Sequence, residues 1–275
     1  MANDNLPHQP PESFTRKLWR EWIKPVGSML LVMIVVRSSL IDWNDVPSGS
    51  MLPTIQIGDR VVVNKLAYGL QIPMGSPYIE IPLTPWRIPN PLKNVKPWKM
   101  GPGPARGEII TFWSPTKPDP NRPGHDGIRL IKRVVAIPGD TIAVHNGLVY
   151  INGHAPDYKH ERDGETRVEH VVRENGQHVT RPARDGIEKA FGSPAHRIQF
   201  LDETPNLREM NAIRLLPDQF FCMGDDRDDS SDARMWMLKD GVVLHRDQIT
   251  GRAFGVAWSL DGWTPRWDRF FSGLK

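Results

Sequence analysis

Residues 128–151 read IRLIKRVVAIPGDTIAVHNGLVYI, and their reading decides the fold class. Ile128–Ile137 is an apolar run with Lys132 and Arg133 embedded in it, closed by Pro138-Gly139-Asp140. A run of that length, rich in Ile and Val and ended by turn residues, predicts a strand. Thr141–Ile151 is two alternating runs joined by Asn146-Gly147. That pair marks a two-residue hairpin, because both central residues of such a turn take positive φ.

Short strands with turn signals continue on both sides. Ile55–Lys65 (IQIGDRVVVNK) carries a β-branched run after a Gly-Asp turn, and Gly107–Trp113 (GEIITFW) repeats the device. Phe220–Gly224 and Gly251–Trp258 supply two more strands. With no alternation of strand and helix and no internal repeat, the expected class is mainly β, an antiparallel sheet core. Two stretches read as insertions. Residues 68–106, dense in Pro, Trp and Lys, predict an irregular excursion lying on a membrane surface. Residues 154–217, charged and rich in His, predict a separate subdomain or long exposed loops.

A chain of 275 residues is long enough for one large all-β domain with insertions. A mean hydropathy of −0.44 excludes a protein that crosses a membrane many times. The net charge of +3 is small and scattered, which speaks against nucleic acid as a partner. Cys222 is the single cysteine, so no internal disulfide forms. Within Phe220-Phe221-Cys222-Met223 it reads as a small buried hydrophobe. The nine histidines include no His-Glu-x-x-His, and without a cysteine pair zinc has no ligand set; neither metal nor cofactor is expected.

Residues 1–24 are polar and carry Arg16, Lys17, Arg20 and Lys24. They precede PVGSMLLVMIVVRSSLIDW, residues 25–43, expected to be one transmembrane anchor. Its uninterrupted apolar part, Val26 to Val36, covers roughly half of a hydrocarbon core of about 30 Å at about 1.5 Å per residue. Extension through Ser38–Trp43, with Arg37 snorkelling, brings it to a marginal span that ends beyond Asp42. Trp22 and Trp43 bracket it as interfacial aromatics do, and the four basic residues place the N-terminal side in the cytoplasm and residues 44–275 outside. No small-residue cleavage site follows, so a retained anchor is expected rather than a cleaved leader.

Just downstream lies PSGSMLPT, residues 47–54. A serine on a turn braced by Gly and Pro is held in one orientation, as a nucleophile requires. Ser50 needs a base, and no histidine stands with an acid at telling spacing. Lys132 is the odd residue of an apolar strand. Buried, it would lose its charge readily and could take the Ser50 proton; at a strand edge its head would reach water, and spacing does not choose between the two. The block GDDRDDSSDAR, residues 224–234, has acids at the spacing of a calcium loop, but Arg227 fills a ligand slot and no Glu closes it. A self-satisfied Asp, Arg and Ser network fits better. The Ser-x-x-Lys of Ser114–Lys117 lacks its companion motifs, and Pro115 opposes the helix it needs.

Taken in order behind one anchor, PSGSMLPT, GDRVVVNKLAYG, GEIITFW, IKRVVAIPGD and GDDRDDSSDAR resemble type I bacterial signal peptidase, over most of residues 25–153 and 220–260. The resemblance implies the catalytic sheet core of that family. It also implies Ser50 as acylating nucleophile, Lys132 as general base, and Ser48 as oxyanion donor beside the Ser50 backbone N–H. Ser230 would orient the lysine, with Asp232, Arg227 and Arg234 as the ion network beneath. Small residues before the scissile bond, as in Ala-x-Ala, would fill shallow pockets lined by Val46, Met51, Leu130 and Ile131. The implied partners are preprotein signal peptides, membrane lipid and a nearby export translocon, at a bacterial inner membrane with the catalytic domain on its outer face. Asp226 and Asp229 stand where the family commonly has asparagine, which adds negative charge near Lys132. Two rivals share parts of this pattern. One is a self-cleaving repressor-type protein, for which residues 1–24 are too short to bind DNA. The other is a relict membrane-tethered β module acting as an export scaffold.

Overall fold

The computed structural model describes residues 13–70, 78–80, 87–91, 95, 98–116, 128–160, 167–172, 178–202 and 207–274. Its largest sheet is antiparallel and runs, in spatial order, β1 (Ile41–Asp45), β2 (Asp59–Asn64), β14 (Ile249–Asp261), β3 (Ile109–Trp113), β4 (Arg129–Ala136), β12 (Gln219–Met223) and β13 (Leu244–His245). The expected mainly β, antiparallel core is therefore found. β2 shows why these residues take this form. Val61 and Val63 alternate with half-exposed Arg60 and Val62, a period-2 pattern with one buried face. The inward Asp59 at its start is paired with Arg269, whose Nε donates to Oδ1 at 3.0 Å.

The Asn146-Gly147 turn joins β5 (Thr141–His145) to β6 (Leu148–Ile151), with φ of 52° and 78° at its two residues. β11 (Met210–Arg214) completes that small sheet on the other side of β5. The second insertion holds a further sheet: β9 (His178–Lys189) pairs with β7 (Asp157–His160), β8 (Arg167–Val172) and β10 (His196–Leu201). In the first insertion the described residues form two short pairings, Gly69–Leu70 with Trp98–Lys99 and Tyr78–Glu80 with Arg87–Pro89. Residues 71–77, 81–86, 92–94 and 96–97 of it lie outside the described residues, as do residues 1–12 and Lys117.

Two apolar clusters form among the described residues. The larger lies between β3, β4, β12, the β5–β6 hairpin and helix α2 (Ala233–Asp240), where Phe112 meets Trp236 edge-on at 5.7 Å. The smaller joins Val46, Met51, Ile55, Val61, Val63, Ile109 and Ala253.

At the N-terminal side, helix α1 (Lys24–Ser39) continues from a helical stretch beginning at Phe14. No helix among the described residues is long and apolar enough to cross a membrane. α1 stops at Ser39, the Leu40 N–H closes the last turn on the Val36 carbonyl, and Ile41–Asp45 pairs with β2. The segment expected as one anchor through Trp43 thus splits into a helix and an edge strand. Asp42 explains the break: it is buried among Lys65 and Arg129, partners that only a strand beside β2 offers.

Candidate active site

The turn after β1 carries Ser50, and β4 carries Lys132. β4 pairs with β3 through Ile110 opposite Lys132, which draws the lysine into the interior of the sheet. Lys132 is 3% exposed and Ser50 9%. Lys132 Nζ donates to Ser50 Oγ at 2.6 Å. Burial pushes the lysine pKa down to about 8; Asp232, Asp225 and Asp226 pull against that fall without cancelling it. The spacing left open whether this lysine is buried or at a strand edge, and the structure buries it.

Residues 224–229 hold the Ser50 turn from beneath. The Asp226 N–H donates to the Ser50 carbonyl at 3.3 Å, and Thr54 Oγ1 donates to Asp225 Oδ2 at 2.5 Å. Gly224 has no side chain because none fits: a Cβ there would stand 2.3 Å from the Ser50 carbonyl oxygen and 2.4 Å from Ser230 Oγ. Asp225 also takes both arms of Arg133, the residue after Lys132, from Nε at 2.8 Å and Nη2 at 2.7 Å. Burial alone would raise the Asp225 carboxyl; Arg133 and Thr54 more than offset it and hold it below the ordinary carboxylate range. A single carboxylate therefore ties the strand of Lys132 to the turn of Ser50.

Asp232 caps α2 and binds Arg234, Nε to Oδ1 at 2.9 Å and Nη2 to Oδ2 at 2.8 Å, while the Gly224 N–H donates to its Oδ2 at 3.0 Å. Arg227 does not join that pair through its side chain. Its guanidinium, fully buried, grips Glu188 of β9 and donates to the Gly147 carbonyl at 2.6 Å. Arg234 reaches Arg227 only at its backbone carbonyl, at 2.7 Å. Ser230 is buried beside Asp232 and helps hold that carboxyl down, yet its Oγ has no hydrogen bond of good geometry among the described residues, to Lys132 or to any other group. Ser48 is exposed on the Ser50 turn.

The residues expected to line the pockets divide. Val46 and Met51 belong to the smaller apolar cluster, with Ile131 packed against it. Leu130 turns to the opposite side of β4 and packs on the larger cluster, as alternation along a strand requires. Met51 is fully buried, so it lies under a pocket and not in its wall.

Sequence reasoning missed the second insertion's part in this region. Gln199 of β10 bridges to Asp226: its Nε2 donates to Oδ2 at 2.9 Å, its N–H to the Asp225 carbonyl, and its carbonyl accepts from Arg227 N, each at 2.9 Å. His196, 3.7 Å from Glu188, is pushed down to about 4 by burial and stays neutral. No local pattern could have found Glu188: in β9 the apolar Ile187 is exposed and the charged Glu188 is buried, the reverse of what apolar periodicity predicts. No group of His, Cys, Asp and Glu among the described residues is arranged to hold a metal ion. Cys222 is buried, and burial beside Asp232 raises its thiol pKa, so it is no rival nucleophile.

A serine hydroxyl held against a buried amine is the arrangement of a hydrolase that acts through an activated serine. The chain belongs to the family described as signal peptidase, peptidase S26, which matches residues 19–258, and it is a serine endopeptidase of that family. It is 31% identical over 251 residues to signal peptidase I of Pseudomonas aeruginosa, covering 86% of this chain and 71% of that protein. Against signal peptidase I of Pseudomonas fluorescens the identity is 29%, with the same coverage of 86% and 71%. A solved signal peptidase I from Enterococcus faecalis V583 is 20% identical and covers 54% of this chain and 95% of that one, at a TM-score of 0.28.

Proposed function

We propose that this chain removes N-terminal signal peptides from exported preproteins, with Ser50 as nucleophile and Lys132 as the base. The hydrogen bond of 2.6 Å between Lys132 Nζ and Ser50 Oγ carries the reading. With a lysine pKa of about 8, a useful share of the amine is neutral near pH 8 and accepts the serine proton as Oγ attacks the carbonyl after the last signal residue. The tetrahedral oxyanion is met by the Ser50 N–H and the Ser48 hydroxyl. Lys132 then hands its proton to the leaving amine. Water, deprotonated by the same lysine, hydrolyses the acyl ester and frees Ser50. Base catalysis of this kind is worth about 10²–10⁴ in rate, and one oxyanion donor roughly 10²–10³.

The substrate lies extended between β1 and β4. β1 is the edge of its sheet, and β12 pairs with β4 only at Arg133, Val134 and Ala136, so among the described residues Arg129–Lys132 is paired to β3 alone. The strands face each other in parallel, with Asp42 meeting Arg129 at one end and Ser50 meeting Lys132 at the other. Long bridging side chains leave room between the backbones for one added strand, at about 4.8 Å per spacing.

The exposed helix supports a location at the membrane. Met29, Leu31 and Val32 of α1 are 56%, 61% and 61% exposed, and lipid is the partner that such a surface fits. Arg16, Lys17, Arg20 and Lys24 keep the N-terminal side cytoplasmic, with the sheets on the outer face beside the export translocon.

The test is incubation of the purified full chain in detergent with a model preprotein, followed by sequencing of the new N-terminus. Cleavage after a small-x-small box, abolished in Ser50→Ala and in Lys132→Ala while both variants keep their circular dichroism, is expected. Full cleavage by either variant overturns the dyad. No cleavage by the unaltered chain would leave an inert export scaffold.

A further inference from the structure

The loop after β12 is gripped by the second insertion at three successive residues. Asp226 is held by Gln199 of β10, Arg227 by Glu188 of β9, and Asp228 by the Leu201 N–H and by Arg208. The first grip is the one that reaches the dyad. The Asp226 N–H donates to the Ser50 carbonyl at 3.3 Å, and the Asp226 carboxylate is among the charges that act on Lys132.

Gln199 holds Asp226 in two ways. Its main chain runs parallel to the loop, with the Gln199 N–H on the Asp225 carbonyl and the Arg227 N–H on the Gln199 carbonyl, each at 2.9 Å. Its side chain then reaches the carboxylate: Nε2 donates to Asp226 Oδ2 at 2.9 Å. The other oxygen, Oδ1, accepts from the Asp229 N–H at 2.9 Å and the Asp228 N–H at 3.2 Å. Both side chains are fully buried. The amide's own Oε1 is buried with no hydrogen-bond partner among the described residues. The reverse orientation would set that oxygen against Oδ2, two acceptors face to face, so the carboxylate dictates how the amide lies.

The charged groups around Lys132 are met in different ways. Asp232, Asp225 and Asp226 all pull its pKa upward, and the buried Cys222 thiol adds to them. Asp232 is spanned by Arg234, and Asp225 by Arg133. What the insertion brings to Asp226 is a neutral amide. A donor on a buried carboxylate spreads its charge and fixes its place without adding a cation. Asp185, opposite Gln199 on β9, is taken up by Arg197 at 3.0 Å.

We propose that Gln199 is a positioning residue for cleavage, pinning Asp226 so that its N–H stays on the Ser50 carbonyl and its charge stays tied into the loop. This rests on the function reading above. Gln199 touches neither substrate nor the reacting atoms; it acts through Asp226. The second insertion thereby takes part in the reaction from behind the site.

The experiment uses the full chain in detergent with a model preprotein, and reads kcat and KM across pH. Gln199→Met keeps the main-chain bridge and roughly the volume, and removes the amide. The charge of Asp226 then bears more fully on Lys132, so the acid limb should move up by about half a pH unit, about a threefold loss at pH 7. The loss should fall on kcat, with KM unchanged. In Gln199→Met/Asp226→Asn the limb should lie where Asp226→Asn alone puts it, because the charge that Gln199 manages is gone. A purely structural role would lower the melting temperature and leave the limb in place. An unmoved limb overturns the proposal, and so does an equal shift in both backgrounds. If Gln199→Met does not fold, a swap is read instead. Gln199→Glu sets two carboxylates face to face and should lose at least about tenfold in kcat, and Gln199→Glu/Asp226→Asn, which restores one donor and one acceptor, should recover most of it. A swap no better than Gln199→Glu overturns the proposal. An unaltered enzyme that cuts no preprotein overturns the function reading and this inference with it; one that cuts, with the limb unmoved by Gln199→Met, overturns this inference alone.

Discussion

Arg133 and Asp225 face each other in the interior as a two-pronged pair, 1% exposed on both sides, ninety-two residues apart in the chain. Breaking such a pair leaves a charge buried without its partner, which costs about 3–5 kcal/mol. Asp225→Ala should therefore lower the melting temperature by roughly 10 °C, at about 2–4 °C per kcal/mol for a chain of this size. Activity should fall further than stability, because Thr54 and the turn of Ser50 are released as well. Calorimetry and cleavage assays of the same sample check this; a fully active, destabilised variant would show that the pair serves folding only.

The pH dependence follows from Lys132. Its pKa in the fold, about 8, lies below the ordinary lysine value of 10.5. Cleavage should rise with pH through about 8 as the neutral amine forms. The unfolded chain binds the extra proton between these values, so this lysine makes the fold more stable as pH climbs from about 8 to 10.5, and opposes the fold below that window. Lys132→Met should abolish activity and stabilise the protein at pH 7 by on the order of 3 kcal/mol, at about 1.4 kcal/mol per tenfold in the constant. A chemical denaturation series across pH reads both signs.

Asp226 is one of the carboxylates that pull the Lys132 pKa upward. Asp226→Asn keeps the oxygen that accepts from the Asp228 and Asp229 N–H groups. The acid limb of the pH–rate profile should move to lower pH in this variant. A shift to higher pH would mean that the carboxylate's main effect on Lys132 is not its charge.

Gly224→Ala tests the close approach beneath the turn. A methyl there meets the Ser50 carbonyl oxygen at 2.3 Å, so the turn must shift. Displacement of about 1 Å at a reacting atom can cost 10²-fold in rate. A drop of about that size in kcat is expected, with the far-ultraviolet spectrum unchanged.

Glu188 should matter although it sits in an insertion. It is fully buried and satisfies both Arg227 and the Val149 N–H. Glu188→Ala should destabilise by about 3–5 kcal/mol, read as a melting shift; a change within about 0.5 kcal/mol would mark it as an ordinary surface position.

What could be read in advance followed the range of the interaction. The β5–β6 hairpin was legible because its turn residues lie side by side, and the Asp232–Arg234 pair because a cap and its arginine are two residues apart. Ser50 and Lys132 were legible as candidates, but their meeting depends on β1 and β4 closing toward each other, which no local pattern encodes. Arg227 was assigned to the network of Asp232, yet its side chain belongs to Glu188. A charge on an inward strand position looks, in sequence, the same as one on a solvated face. The segment through Trp43 read as anchor because its apolar residues are contiguous; the need of Asp42 for Lys65 and Arg129 turned its last part into a strand. The 154–217 region gave no warning that it supplies Gln199 and Glu188.

Only Leu40 separates α1 from β1, and it is tied at both ends, its N–H to the Val36 carbonyl and its carbonyl to the Lys65 N–H. A joint that short behaves as a bracket and has no slack to act as a leash. On the proposed topology the cleft would ride at a constant height and heading above the lipid, so its search for a scissile bond would be lateral drift in two dimensions.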